Sequence, residues 1–267
     1  MVSPVAGAIE ILEIGVVPHL STRLLLEQYR LLREYLEKEL QKPVYVGTAP
    51  DFKKFYERTN EGAYDLIITA PHLAGLAETE AGYRPLLIFS PKIQGLIITA
   101  KSVNSARSMQ QIDDLRGNTL VLPNPKSLVA QKGLDWLSGR GLLPGRDFDV
   151  LHAPNQDSVG DTIVHGYATA AMLSNGEYQS IPQALREKLQ IFTVFAEIPG
   201  FVVMMNEQAT AAEMRRVEML LMKFSADPNS VSFFEKINCA GLRRLNAEDR
   251  DELYSYISLA RKLFQLP

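Results

Sequence analysis

Short apolar runs alternate along this chain with longer stretches whose apolar residues recur every three or four positions, the two periods of strand and helix. Ile9 to Val17 reads as a strand. Ser21 or Thr22 then caps a helix to Leu40 in which Leu25, Tyr29, Leu32, Leu36 and Leu40 share a face, and Pro43 ends it. Val44 to Val46 is a second strand, Asp51 caps a helix that ends before Gly62, Tyr64 to Ile68 is a third strand, and a helix runs from about His72 to Glu80. Tyr83 to Phe89 and Gly95 to Thr99 read as consecutive strands. Only Ser90 to Gln94 lies between them, too short for a crossover helix, so the pair is antiparallel or marks a change of layer.

A second series follows. Lys101 to Arg107 is polar, and Ser108 caps a short helix to Gly117. Strands are expected at Thr119 to Leu122, Phe148 to Leu151, Ala168 to Leu173 and Ile191 to Phe195, with helices near Ser127 to Ser138, Gln156 to His165 and Ile181 to Leu189. After Ile198-Pro199-Gly200 comes one more strand, Phe201 to Met205, and then helices over Ala211 to Phe224, Ser230 to Ile237 and Ala247 to Leu263. The pattern predicts an α/β fold of two lobes. The first lobe is residues 1–100 with 200–267 and the second is the insertion 101–199, with hinges at Gly95 to Arg107 and Ala196 to Phe201.

Four junctions share one form: an apolar strand ends in Pro or Asn, polar side chains follow, and a helix begins. They lie at Val16 to Thr22, Ile67 to His72, Leu120 to Ser127 and Val150 to Asp157. In open α/β sheets ligands bind beyond the carboxyl ends of the strands, where helix N-termini present N–H groups and positive dipole ends. The chain therefore reads as a binder of a small ligand.

Composition narrows this reading. A net charge of −3, with Lys and Arg scattered singly or in pairs, gives no footprint for nucleic acid. One cysteine, Cys239, excludes an intrachain disulfide and a cysteine metal cluster. No apolar run approaches the length that spans a membrane. Val2 to Ala8 looks like a mature N-terminus behind an added Met, which gives the expectation that a signal peptide has been removed. No Gly-x-Ser-x-Gly elbow, Gly-x-Gly-x-x-Gly fingerprint or phosphate-loop motif supports catalysis, and no cofactor is expected.

Gly15-Val16-Val17-Pro18, Tyr64 to Ile68 with Ala70-Pro71, and Ile112-Asp113-Asp114-Leu115-Arg116-Gly117-Asn118-Thr119-Leu120 resemble the phosphate/phosphonate-binding branch of the type II periplasmic solute-binding proteins. The resemblance covers roughly Ile9 to Met205, carried by the order of the pieces. It implies the two-lobed type II fold with two hinge crossovers. The lobes close on a small polar ligand, an oxyanion related to phosphate or phosphonate, which a membrane transporter or sensor then receives. It also implies a periplasmic or lipid-anchored extracellular protein, here expected to be a monomer. Several pocket positions depart from the family pattern. Asp51-Phe52 stands for Asp-Tyr, Ile93-Gln94-Gly95 for Tyr-x-Ser, Ser127-Leu128-Val129 for Ser-Thr-Ser, Asn155-Gln156-Asp157 for Ser-His-Asp, and Thr169 for an Asp.

The candidate ligand contacts are His19, Phe52, Pro71, His72, Lys126, Ser127, Gln156 and Asp157. His19 and His72 read either as donors facing the interlobe cleft or as partly exposed, helix-capping histidines. Ser127 with Lys126 is either an anion cradle or a plain N-cap beside a solvated ammonium. Asp157 would repel an anion, so it suits an amine, a hydroxyl or a metal. His165, late in a helix, complements the C-terminal dipole and is read as structural. His19, His72 and His152 offer a second possibility, a nitrogen-rich site for a transition metal, although no short-range spacing supports it.

Overall fold

The structure is a computed structural model that describes residues 11–101, 109–153 and 158–266. In chain order its elements are β1 (Leu12–Val16), α1 (Thr22–Leu40), β2 (Val44–Gly47), α2 (Phe52–Asn60), β3 (Leu66–Thr69), α3 (Pro71–Glu80), β4 (Tyr83–Ser90) and β5 (Ile93–Ala100). A 3-10 turn at Ile112–Leu115 leads to β6 (Thr119–Leu122), α4 (Leu128–Ser138), β7 (Asp149–His152), α5 (Val159–Val164), β8 (Ala170–Ser174), α6 (Asn175–Ser180), α7 (Gln183–Arg186) and β9 (Leu189–Ile198). The chain finishes with β10 (Val202–Asn206), α8 (Ala211–Ala226), α9 (Val231–Lys236), β11 (Gly241–Arg243), α10 (Ala247–Ser255) and α11 (Ile257–Phe264).

These elements form two compact units. The first comprises residues 11–18, Thr22–Pro91 and 199–266; the second comprises Lys92–Ile198 together with His19–Ser21. In the first, six strands lie in the order β11-β4-β10-β3-β1-β2. β2, β1 and β3 are parallel, whereas β10 runs antiparallel between β3 and β4. The α1 face named from the sequence is the one that packs, with Leu25, Tyr29, Leu32, Leu36 and Leu40 all buried. Phe52, Phe55, Tyr64, Ile67, Leu73 and Phe264 belong to the core on one side of this sheet.

In the second unit five strands lie in the order β7-β6-β8-β5-β9, with β7, β6 and β8 parallel and β5 antiparallel to both β8 and β9. The sequence placed Gly95 to Thr99 in the first lobe and its boundary after residue 100. β5 instead belongs to the second sheet, and the chain changes unit between Pro91 and Lys92 and again between Ile198 and Pro199. Leu96, Ile97 and Ile98 are buried on both faces of the strand, which requires a central position. The expected helix at Ile181 to Leu189 is also different: Ile181 caps the end of α6, Pro182 is the N-cap of α7, and Leu189 already belongs to β9. The helix expected over Ala247 to Leu263 breaks at Tyr256 into α10 and α11. Ser108 and residues 102–107 of the first expected hinge lie outside the described residues.

Candidate functional site

In the first unit the carboxyl ends of β2, β1 and β3 lie side by side. The turns beyond them are tied together: Val17 N donates to Ile68 O at 2.9 Å, Thr48 Oγ1 to Val16 O at 2.7 Å, and an Arg58 guanidinium nitrogen to Thr48 O at 2.8 Å. His19, which follows β1 in the chain but clusters with the second unit, is half-buried. Asp51 caps α2 as expected, its carboxylate accepting from Lys54 N at 2.8 Å.

Three of the expected contacts in this unit are core residues. Phe52 is 3% exposed and His72 is 0% exposed, and the His72 ring stacks between Phe52 at 5.7 Å and Phe264 at 5.9 Å. Pro71 is the first residue of α3 and is buried with every residue through Ala77. The reason is the helix itself: α3 is apolar on all sides in its first two turns and packs against α10 and α11, so its start lies inside the core. His72 is thus corrected from ligand donor to core residue, and Phe52 and Pro71 with it.

In the second unit α4 begins beyond the carboxyl end of β6. Asn124 Oδ1 accepts from Lys126 N at 3.2 Å, and the Asn124 carbonyl accepts from Ser127 N at 3.1 Å, which shapes the turn before the helix. Ser127 is the N-cap, its hydroxyl accepting from Ala130 N at 3.1 Å, and Gln131 Nε2 braces the loop by donating to Pro125 O at 2.8 Å. Lys126 is exposed and Ser127 half-buried. An exposed ammonium at the positive end of an eleven-residue helix is an arrangement suited to an oxyanion. Gln156 and Asp157, at the next junction, lie outside the described residues.

A third group lies beyond the carboxyl end of β8. Ser174 and Glu177 form a capping box, in which Ser174 N donates to Glu177 Oε2 at 2.7 Å and Glu177 N donates to Ser174 Oγ at 3.1 Å; Asn175 Oδ1 accepts from Gln94 N at 3.3 Å. Burial pushes the Glu177 carboxyl above the usual carboxylate range, and its bonds to Ser174 only partly oppose that. The Ser174-x-x-Glu177 spacing is legible in the sequence as a helix start, yet no candidate contact was drawn from it.

The three histidines of the metal reading have unlike settings. His72 is in the first unit's core and His152 is exposed at the end of edge strand β7, and among the described residues no three His, Cys, Asp or Glu side chains come together to hold a metal ion. His165 is exposed at the C-cap of α5, its Nδ1 lying 2.9 Å from Asp161 O. It borders a shallow cavity of about 540 Å³ with Asn118, Thr119, Tyr167 and Thr169. That cavity is at the amino ends of β6 and β8, opposite to where an open α/β sheet receives its ligand.

Residues 14–250 match the family described as ABC transporter, phosphonate, periplasmic substrate-binding protein. A Prochlorococcus marinus protein, PhnD1, solved with methylphosphonate, superimposes with a TM-score of 0.76 at 11% identity, covering 97% of this chain and 99% of that one. A binding component of a phosphonate transporter from Pseudomonas aeruginosa gives 0.75 at 10% identity over 96% and 95%. An alkanesulfonate-binding protein from Xanthomonas axonopodis pv. citri, bound to MOPS, gives 0.64 at 15% identity over 98% and 96%. At these identities the structural likeness shows the fold, the two-lobed periplasmic-binding-protein architecture.

Proposed function

This chain belongs to the periplasmic substrate-binding proteins of phosphonate ABC transporters, and from that membership we propose that it captures a phosphonate-like oxyanion and delivers it to a membrane transporter. The observation that carries the ligand class is the N-terminus of α4. There Lys126 places an ammonium, and Ser127 a hydroxyl, beside the positive end of the helix dipole at the carboxyl end of a parallel strand. Two of the structural relatives were solved with a methylphosphonate and with the sulfonate MOPS, and both ligands present a tetrahedral oxyanion head of this kind. The proposed contacts are Lys126, Ser127, His19 and Gln156, while Asp157 suits an amine or hydroxyl on the ligand's organic part. On this reading the protein works in the periplasm as a monomer.

Titration calorimetry with methylphosphonate, phosphate, phosphite, sulfate and an alkanesulfonate tests the reading. Binding of one or more of these by a single site, weakened in Lys126→Ala, is the expected result. If all five fail to bind, the oxyanion reading is lost.

A further inference from the structure

The chain leaves the first unit through Phe89-Ser90-Pro91 and returns through Pro199-Gly200-Phe201. One small element grips the outgoing passage, to which the returning one is in turn bonded. The Ser90 carbonyl accepts two donors from the turn before β11, Ala240 N at 2.7 Å and the Cys239 thiol at 2.8 Å. Cys239 is itself fixed to α9, its N–H donating to Phe234 O at 2.8 Å, and Leu242 N donates to Ser225 Oγ of α8 at 2.7 Å. Phe89 packs its ring on Phe233 and Phe234, with centroids 6.5 Å away in each case. The returning strand is held to the same residue: Phe89 N donates to Phe201 O at 2.9 Å, and a Cβ on Gly200 would lie 2.1 Å from Phe89 O, so only glycine allows that approach.

From this geometry we infer that the turn between α9 and β11 is a positioning clamp on the outgoing crossover and, through Phe89, on the returning one, which confines bending to the peptides at residues 91–92 and 198–199 and thereby sets the affinity for ligand without touching it. The inference rests on the proposed function, since ligand capture by a two-lobed binding protein requires the crossovers to bend. Cys239 is the side-chain donor of the clamp. A thiol donates only when protonated, and burial raises the Cys239 pKa above its ordinary value, so the donor persists at neutral pH. Loosening the clamp enlarges the set of conformations that binding must freeze, which weakens the apparent affinity. A neutral hydrogen bond of ordinary strength corresponds to about a 3- to 10-fold effect.

The test uses the full chain carrying Cys239→Ala, Cys239→Ser, where a hydroxyl can replace the thiol as donor, and Ser225→Ala, which attacks the clamp from its other anchor. Three quantities are read: hydrogen exchange at the Ala240 amide, ligand-free small-angle scattering, and the dissociation constant for methylphosphonate. Cys239→Ala and Ser225→Ala should each speed exchange, broaden the ligand-free distribution of dimensions and weaken methylphosphonate about 3- to 10-fold. Cys239→Ser should recover most of each effect. If exchange accelerates while scattering and affinity stay as in wild type, the turn is a local support and the inference is overturned. Should wild type bind none of methylphosphonate, phosphate, phosphite, sulfate and an alkanesulfonate, the functional reading fails separately, and the ligand-free scattering of the variants still decides the clamp: unchanged dimensions overturn it.

Discussion

Two residues drawn from the same strand-end logic behave in opposite ways. His72 follows a Pro after an apolar strand, as a ligand donor would, yet it is sealed between Phe52 and Phe264. Removing its ring leaves a cavity in packed core, so His72→Ala should lower stability by about 2 to 4 kcal/mol, read from the urea midpoint at unchanged slope. A variant as stable as wild type would place the ring outside the core after all. Lys126, by contrast, is exposed at the start of α4, and its substitution disturbs little packing. Lys126→Ala should keep stability within about 0.5 kcal/mol and weaken the anion about 10-fold, the worth of a charge-assisted hydrogen bond. Unchanged affinity would remove Lys126 from the site. The sequence held a sign of the difference: Leu73-Ala74-Gly75-Leu76-Ala77 leaves α3 no polar face in those turns, whereas the α4 junction carries Asn124, Lys126 and Ser127 in succession. Strand-end position finds candidates; the polarity of the following helix decides which of them water and ligand can reach.

At the scale of elements, α1, β3, α4 and α8 were legible because each carries an uninterrupted period and a cap or a Pro at its boundary. The rest depended on partners that no local pattern shows. β5 reads as an apolar strand wherever it lies, and only its pairing with β8 and β9 assigns it to the second sheet. β11 has three residues and no period at all. The start of α6 is local chemistry whose consequence is not local, because its capping box buries the Glu177 carboxyl. A carboxyl raised in the folded state is protonated there at pH values where the unfolded chain has already ionised it. The folded state then binds more protons, and stability falls as pH rises from the ordinary carboxylate value through the folded one. Glu177→Gln keeps an acceptor for Ser174 N and removes the ionisation. The difference in urea stability between variant and wild type should shift toward the variant as pH rises from about 4 to 7, since the ordinary Glu pKa is about 4.3. Asp114 and Asp147, whose carboxyls are lowered by backbone bonds and by Arg146, contribute equally to both proteins and drop out of that difference. A difference independent of pH would show Glu177 ionising as freely in the folded state as in the unfolded one.

For the molecule as a whole, the two units make unequal demands on chain continuity. Apart from His19–Ser21, the second is built from one stretch of chain whose ends meet, since Ile93 at the start of β5 pairs with Ile198 at the end of β9. Its sheet is covered on both faces, by Leu96, Ile98, Val121, Leu173 and Ile181 on one side and by Ile97, Leu120, Leu122, Leu137 and Met172 on the other. A segment with its own core and adjacent termini meets the requirements of an autonomous domain. The first unit is closed by residues from beyond the insertion. β10 is an interior strand there, hydrogen-bonded to β3 and β4, and without it both would present unpaired edges within an apolar sheet. α11 completes the same core through Phe264, which is fully buried against His72. Residues 92–198 expressed alone should therefore show a native-like far-ultraviolet spectrum and a single cooperative urea transition, while residues 11–91 alone should remain unfolded or aggregate. Joining 11–91 to 199–266 through a short flexible linker should restore cooperative folding to the first unit, because the two crossover passages already meet at Phe89 and Phe201. A cooperative transition from residues 11–91 by themselves would show that β10 is not required to hold the sheet together, and an unfolded 92–198 segment would show that the second unit's core is insufficient without the first.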